Sequence, residues 1–171
     1  MTTRFIGIAI FMSRMACIAS AAQNDAVRES QDRAQIEKVM WQYVRALDTH
    51  DADAYAAVFA PDGQFGAGTN APKGQEALKK MLTDGQQKAA ENEAKTGRKT
   101  PGTHHIVSNT VIDFVDKDHA KFQAYYMIMI DPAEKGSGPR IAGVGREVDE
   151  FVRVKGQWLI QMRDVAPSDD K

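Results

Sequence analysis

The strongest constraint on the fold of this chain is a change of texture at residue 104. Beyond it the sequence is almost wholly strand-forming stretches joined by short turns. Residues 105–115 are rich in valine and isoleucine, Asp116-Lys117-Asp118 reads as a hairpin turn, and residues 120–130 run back. Residues 131–139 hold two prolines and two glycines and read as a loop; 141–154 is a long strand, Lys155-Gly156 a two-residue turn, and 158–165 the last strand. Consecutive antiparallel strands with tight turns make a meander, and a meander must bury one face against something else.

The preceding residues supply that partner. Ile36, Met40, Tyr43, Val44 and Leu47 recur at helical spacing, with Asp32 as the expected N-cap and an end near residues 48–51. A second, shorter helix carries Tyr55, Val58 and Phe59, capped by Asp51 or Asp53 and stopped by Pro61. Gln64 and Phe65 read as a short strand. Residues 75–90 read as a third helix with Leu78, Met81 and Leu82 inward, and the polar stretch 90–102 as a loop or fraying helix end over a pocket mouth. Helices first and strands afterwards predict an α+β domain over residues 32–166: a cone-shaped, curved antiparallel sheet with three N-terminal helices enclosing a pocket. Residues 23–31 read as a polar linker and 167–171 as a disordered tail.

Composition narrows the partners. Hydrophobic residues make up 43% of 171, enough for a sizeable core, and 22 basic against 23 acidic residues leave a net charge of −1. That balance offers no basic footprint for nucleic acid, and no run of about 20 apolar residues suggests a membrane span. Cys17 is the only cysteine, so neither an intramolecular disulfide nor a cysteine zinc cluster can form. Arg4, the apolar run 5–12 and Ala19-Ser20-Ala21 together resemble a secretory signal peptide over residues 1–22, implying a periplasmic or secreted protein. Arg14 interrupts the apolar region, and the other reading is a disordered leader on a cytoplasmic protein.

Several motifs, in order, carry a family resemblance. Arg33-Ala34-Gln35-Ile36 through Tyr43 to Ala46-Leu47-Asp48, then Asp51-Ala52-Asp53 and Val58-Phe59-Ala60-Pro61-Asp62-Gly63, are similar to the opening helices of SnoaL-like proteins of the nuclear-transport-factor-2-like superfamily. Gly74-Gln75-Glu76-Ala77-Leu78 resembles that family's third helix, His104-His105-Ile106-Val107-Ser108-Asn109 its histidine-bearing strand, and Glu150-Phe151-Val152-Arg153 with Gly156-Gln157-Trp158 its closing hairpin. The resemblance covers residues 33–165. Its members include scytalone dehydratase, hexachlorocyclohexane dehydrochlorinase and proteins without catalysis, so function has to be argued from the site.

The resemblance implies a general base at His105, oriented by Asp48 at the end of the first helix. Imidazole, with a free pKa of about 6.5, accepts protons at neutral pH, and a carboxylate on its other nitrogen fixes the tautomer and stabilises the imidazolium. Read from the residues alone, Asp48 is equally a solvated helix-end residue and His105 a core or edge-strand histidine. His104, adjacent in the same strand, faces the opposite way and is expected to be structural. Tyr43, Arg153, Phe59, Phe65 and Met127 are the expected substrate-binding residues; Arg153 matches an arginine beside the closing hairpin of the dehydrochlorinase. Core packing competes for Tyr43, and pairing with Glu147, Asp149, Glu150 or Asp164 on an exposed sheet face competes for Arg146, Arg153 and Arg163. Trp41 and Tyr55 read as shape-defining aromatics. No metal-binding constellation and no cofactor are expected. The resulting expectation is a dehydratase-like lyase or isomerase acting on a small apolar or aromatic compound, or a non-catalytic ligand-binding or dimerisation module of the same fold. A homodimer formed through the sheet face around Tyr125 and Gly145 is expected in either case.

Overall fold

The computed structural model describes residues 6–132 and 136–168, with side chains from Gln23 onward. Eight elements follow in order: α1 (Ile6–Asp48), α2 (Ala52–Ala57), β1 (Phe59–Phe65), α3 (Gln75–Thr96), β2 (Thr103–Phe114), β3 (His119–Ile130), β4 (Arg140–Val154) and β5 (Gln157–Asp164). The chain divides into two units, residues 1–35 and 36–171, of which the second holds the sheet and the later helices.

α1 departs from the sequence expectation. Residues 23–31, expected as a linker, are helical, and Asp32 is an interior residue of the helix rather than its N-cap. Nothing in that stretch breaks a helix: there is no proline from residue 6 to 48 and no glycine after Gly7. Asp25–Arg28 at 3.0 Å and Glu29–Arg33 at 2.7 Å add ion pairs at helical spacing. The expected leader falls on residues 1–22, whose side chains lie outside the described residues, and the expected tail includes residues 169–171, also outside them. Among the described residues no helix is long and apolar enough to cross a membrane.

The end of α1 is sharp. The Asp51 N–H donates to the Ala46 carbonyl (2.9 Å) and the His50 N–H to that of Leu47 (3.1 Å), with His50 left-handed at φ 58°. That is a Schellman motif, and it places Asp48 in the last turn, just before the chain reverses. Asp51 then caps α2, its carboxylate accepting the Ala54 N–H at 2.9 Å. α2 ends at Ala57, ahead of Pro61, which sits inside β1 instead of stopping the helix. Proline is tolerated there because β1 is an edge strand and its register slips between Phe59 and Gln64. α3 runs on to Thr96, further than expected, and Gly97 (φ 67°) closes it by donating to the Glu93 carbonyl.

The strands form one curved, unclosed sheet in the order β1-β5-β4-β3-β2, antiparallel except for the β1–β5 pair. Lys155 and Gly156, both at positive φ, make the tight turn between β4 and β5. The core lies where Ile36, Met40 and Tyr43 of α1, Tyr55 of α2 and Leu78 of α3 meet the inner sheet face at Phe122, Phe151, Trp158 and Ile160. The expected α+β architecture is the one observed.

Two bulges decide which residues face inward. In β2 the register slips between Ser108 and Val111, around Asn109 at φ 54°. His105 and Val107 face inward before it, whereas Ile112 is buried and Val111 half exposed after it. In β5, Met162 pairs with Glu150 but Ile160 pairs with Phe151, leaving Gln161 as the extra residue. Trp158 and Ile160 face the core on one side of this bulge, and Arg163 does so on the other.

Candidate functional site

The end of α1 meets β2 at Asp48 and His105. Asp48 Oδ1 lies 2.7 Å from His105 Nδ1 and accepts the His105 backbone N–H at 3.1 Å. A carboxylate at a helix C-terminus is disfavoured by the helix dipole, and these two donors offset that. The pair is mostly buried, with side chains 23% and 13% exposed for His105 and Asp48. A carboxylate only accepts, so the shared proton belongs on Nδ1 and Nε2 keeps its lone pair. Nε2 has no hydrogen-bond partner among the described residues.

The His105 ring borders an apolar cavity of ≈200 Å³, walled by Tyr43, Val44 and Leu47 of α1, Phe65 of β1, Val107, Tyr126 and Ile128 of the sheet, and Arg163. Register explains the sheet contribution: His105 pairs with Ile128 and Val107 with Tyr126, so all four share one face. Tyr126 crosses the sheet. It pairs with Gly145, where an added Cβ would lie 2.7 Å from its hydroxyl oxygen, and that hydroxyl donates to the Val165 carbonyl at 3.2 Å. Glycine at 145 is what lets the ring lie flat across β4.

Arg163 closes the deep end. Its guanidinium carbon stands 4.1 Å from the centre of the Tyr43 ring. It donates to Asp149 at 2.5 Å, directly opposite on β4, and to Glu147 two residues earlier on the same face. Both carboxylates are fully buried. Burial pushes the Asp149 carboxyl up to about 8, partly countered by Arg163 and reinforced by Glu147. A protonated Asp149 leaves one negative charge fewer around the Arg163 guanidinium. Burial works against the Arg163 charge, but Tyr43, Asp149 and Glu147 outweigh it and raise its pKa further. Burial also raises the Tyr43 phenol, keeping it a neutral hydroxyl.

These groups tie stability to pH. Between about pH 4, where a free aspartate ionises, and about pH 8, the folded chain holds a proton on Asp149 that the unfolded chain has released. The Asp149 contribution to stability is therefore fully present below that window and is lost as pH rises through it. Urea denaturation at a series of pH values should show stability falling from pH 5 to pH 9, and Asp149→Asn should flatten that slope. An unchanged slope in the variant would contradict the assignment.

Of the expected site residues, the structure brings His105, Tyr43 and Phe65 to the cavity and sets Asp48 behind the His105 ring. Phe59 does not reach it: it is fully buried in the core, 5.3 Å from Tyr55 and 6.0 Å from Tyr43 between ring centres. Met127 is on the other sheet face, since it alternates with Tyr126 and Ile128, and lines an outer depression with Ile106, Tyr125 and Val144. Arg153 is also elsewhere, at the far end of β4, with its guanidinium 4.4 Å from the Trp158 ring centre and its Nε donating to the Lys117 carbonyl. The cavity arginine is Arg163, and it pairs with Glu147 and Asp149 on the buried face, not the exposed one. Strict alternation from Trp158 and Ile160 turns Arg163 outward; the bulge at Gln161 reverses it. His104 points away from His105 and bonds Asp131 at 2.9 Å, where both are exposed.

The fold is shared with several solved structures. A Novosphingobium aromaticivorans protein described as NTF2-like with a cystatin-like fold superposes with a TM-score of 0.69 at 19% identity, covering 87% of this chain and 90% of its own. A Mycobacterium tuberculosis protein of unknown function gives 0.65 at 20% identity, covering 85% and 78%. A second Novosphingobium aromaticivorans protein, provisionally named scytalone dehydratase, gives 0.61 at 26% identity, covering 81% and 85%. No curated protein matches the chain in sequence. Residues 28–164 match the family model of the SnoaL-like domain, and the chain belongs to that family.

Proposed function

We propose that this protein is a cofactor-independent lyase or isomerase of small organic molecules, in which His105 removes a proton from carbon and Asp48 positions it. The observation that carries this reading is the 2.7 Å contact between His105 Nδ1 and Asp48 at the wall of an apolar cavity. The reaction that fits is a dehydratase-like elimination. His105 Nε2 takes a proton from the carbon next to a carbonyl or ring, and the C–H electron pair becomes the new double bond. The leaving hydroxyl departs as water with the proton returned by the imidazolium. Tyr43 and Arg163 sit at the end of the cavity where negative charge on a carbonyl oxygen would be stabilised. The neighbour provisionally named scytalone dehydratase supports the same class.

A second reading has its own support. Because Arg163 is engaged by Glu147 and Asp149, the deep end presents no free cation to a ligand, which suits a carrier of apolar ligands as well. Incubation with cyclic β-hydroxy ketones and hydroxylated aromatics in D2O separates the two. The enzyme reading expects loss of water or deuterium at the acidic carbon without added cofactor. Tight binding with neither reaction would support the carrier and remove the lyase.

Either reading includes a two-fold homodimer through the outer sheet face, where Ile106, Tyr125 and Val144 stand 43%, 56% and 64% exposed on adjacent strands. Light scattering at micromolar concentration should give twice the chain mass. A monomer there would count directly against this.

A further inference from the structure

The cavity at His105 is small for its proposed task. At ≈200 Å³ it can hold a single ring, since a cavity of about 150 Å³ binds benzene. It falls short of the roughly 300–1,000 Å³ typical of ligand sites. A second cavity of ≈390 Å³ lies between α1 and β2 and shares Val44, His105 and Val107 with the first. His105 is therefore the partition between two spaces, held in place by Asp48.

The wall of the outer space is Trp41. It is 64% exposed, whereas the other tryptophan, Trp158, is 2% exposed. A lone exposed aromatic is ordinary on a protein surface. Trp41 differs because its ring bounds a cavity that continues to a positioned histidine. Besides His105, the polar groups at this cavity are the Glu37 carboxylate and the Thr110 hydroxyl, and among the described residues no lysine or arginine lines it. That chemistry accepts hydrogen bonds from a neutral donor such as a phenol and repels an anion.

We infer that Trp41 and the outer cavity form a second subsite of the His105 site, which takes the flat aromatic end of a neutral ligand of at least two rings while its other end fills the inner cavity. The ligand then passes His105 at its middle, and the bond between its two halves is the one presented to Nε2. This inference rests on the proposed use of the inner cavity as a ligand site. It adds the size and shape of the ligand and gives a residue outside the inner cavity a role in recognition.

The test uses the full chain with phenol as a one-ring probe and 4-benzylphenol as a two-ring probe, both followed by calorimetry, with tryptophan emission recorded alongside. The two-ring probe should bind at least about tenfold tighter and quench the exposed tryptophan, since aromatic stacking is worth roughly that factor. Trp41→Ala should cost the two-ring probe about tenfold while leaving phenol within about twofold, and Trp41→Phe should retain most of the affinity. Phenol binding with a two-ring affinity that ignores Trp41→Ala would overturn the subsite and leave the inner site standing. Failure of both probes to bind overturns both. Resistance of Trp41 to acrylamide quenching in the free protein would show that something else covers it, and would also overturn the subsite.

Discussion

Replacing His105 with glutamine is expected to lower turnover of any substrate by about 10²–10⁴ while leaving the fold intact, the usual contribution of a positioned general base. Glutamine has a similar volume, and its amide can still donate to Asp48, so the contact that ties β2 to the end of α1 survives in outline. What disappears is a nitrogen lone pair able to take a proton. Asp48→Asn should reduce turnover as well, because an amide no longer holds the ring proton on Nδ1 or stabilises the imidazolium. Ligand affinity should change much less than turnover in both variants. The measurement is kcat and KM for the two variants, with circular dichroism to establish folding. A folded His105→Gln protein with undiminished kcat would eliminate His105 as the base.

The largest effect on stability is expected at Arg163. Arg163→Met removes the only cation touching Glu147 and Asp149 among the described residues and leaves two carboxyl groups in the core. Breaking a buried pair in this way costs about 3–5 kcal/mol, which in a domain of this size lowers the melting temperature by roughly 10 °C. The loss should be smaller at pH 5 than at pH 8, because the Asp149 carboxyl holds its proton at the lower pH. Chemical denaturation at the two pH values measures it. A loss under about 1 kcal/mol at pH 8 would mean that the cluster contributes little. Simultaneous replacement of all three groups by apolar residues of similar volume should recover much of the loss, since the cost lies in the orphaned charges.

How far the sequence could be read depended on whether local pattern and tertiary geometry agreed. The meander from β2 to β5 was legible nearly to the residue, because its turns carry Asp116-Lys117-Asp118 and Lys155-Gly156 and its strands are rich in β-branched residues. The helical half was legible in kind but not in extent. Polar residues 23–31 and 91–96 look like linkers by composition, yet nothing in them stops a helix, and α1 and α3 pass through both. The Asp48–His105 contact came from the family resemblance, since no local signal joins residues 57 positions apart. The buried position of Arg163 was hidden for a different reason. Face assignment counts residues by twos, and the extra residue at Gln161 changes the count. Arg153, by contrast, matched a motif while sitting at the far end of its strand, above Trp158.

The bulges at Asn109 and Gln161 also set the kinds of change this site can absorb. Each acts as a phase shifter: it takes up one additional residue, so that the side chains beyond it keep a facing that plain alternation would deny them. A substitution at either position leaves that phase alone, and loss of the extra residue itself only returns the strand to plain alternation with every facing kept. Straightening of the bulge with its residue retained exchanges the two repertoires of the strand. In β5 such straightening would turn Arg163 out to solvent and Met162 inward while Trp158 and Ile160 kept their places, or the reverse. The cavity would then gain a thioether where it had a guanidinium, and Glu147 and Asp149 would lose their partner in the same event. Deletion of one residue at these two points is therefore the mild change, whereas insertion or deletion of one elsewhere in the same strand is the abrupt way to rewrite the chemistry of the pocket.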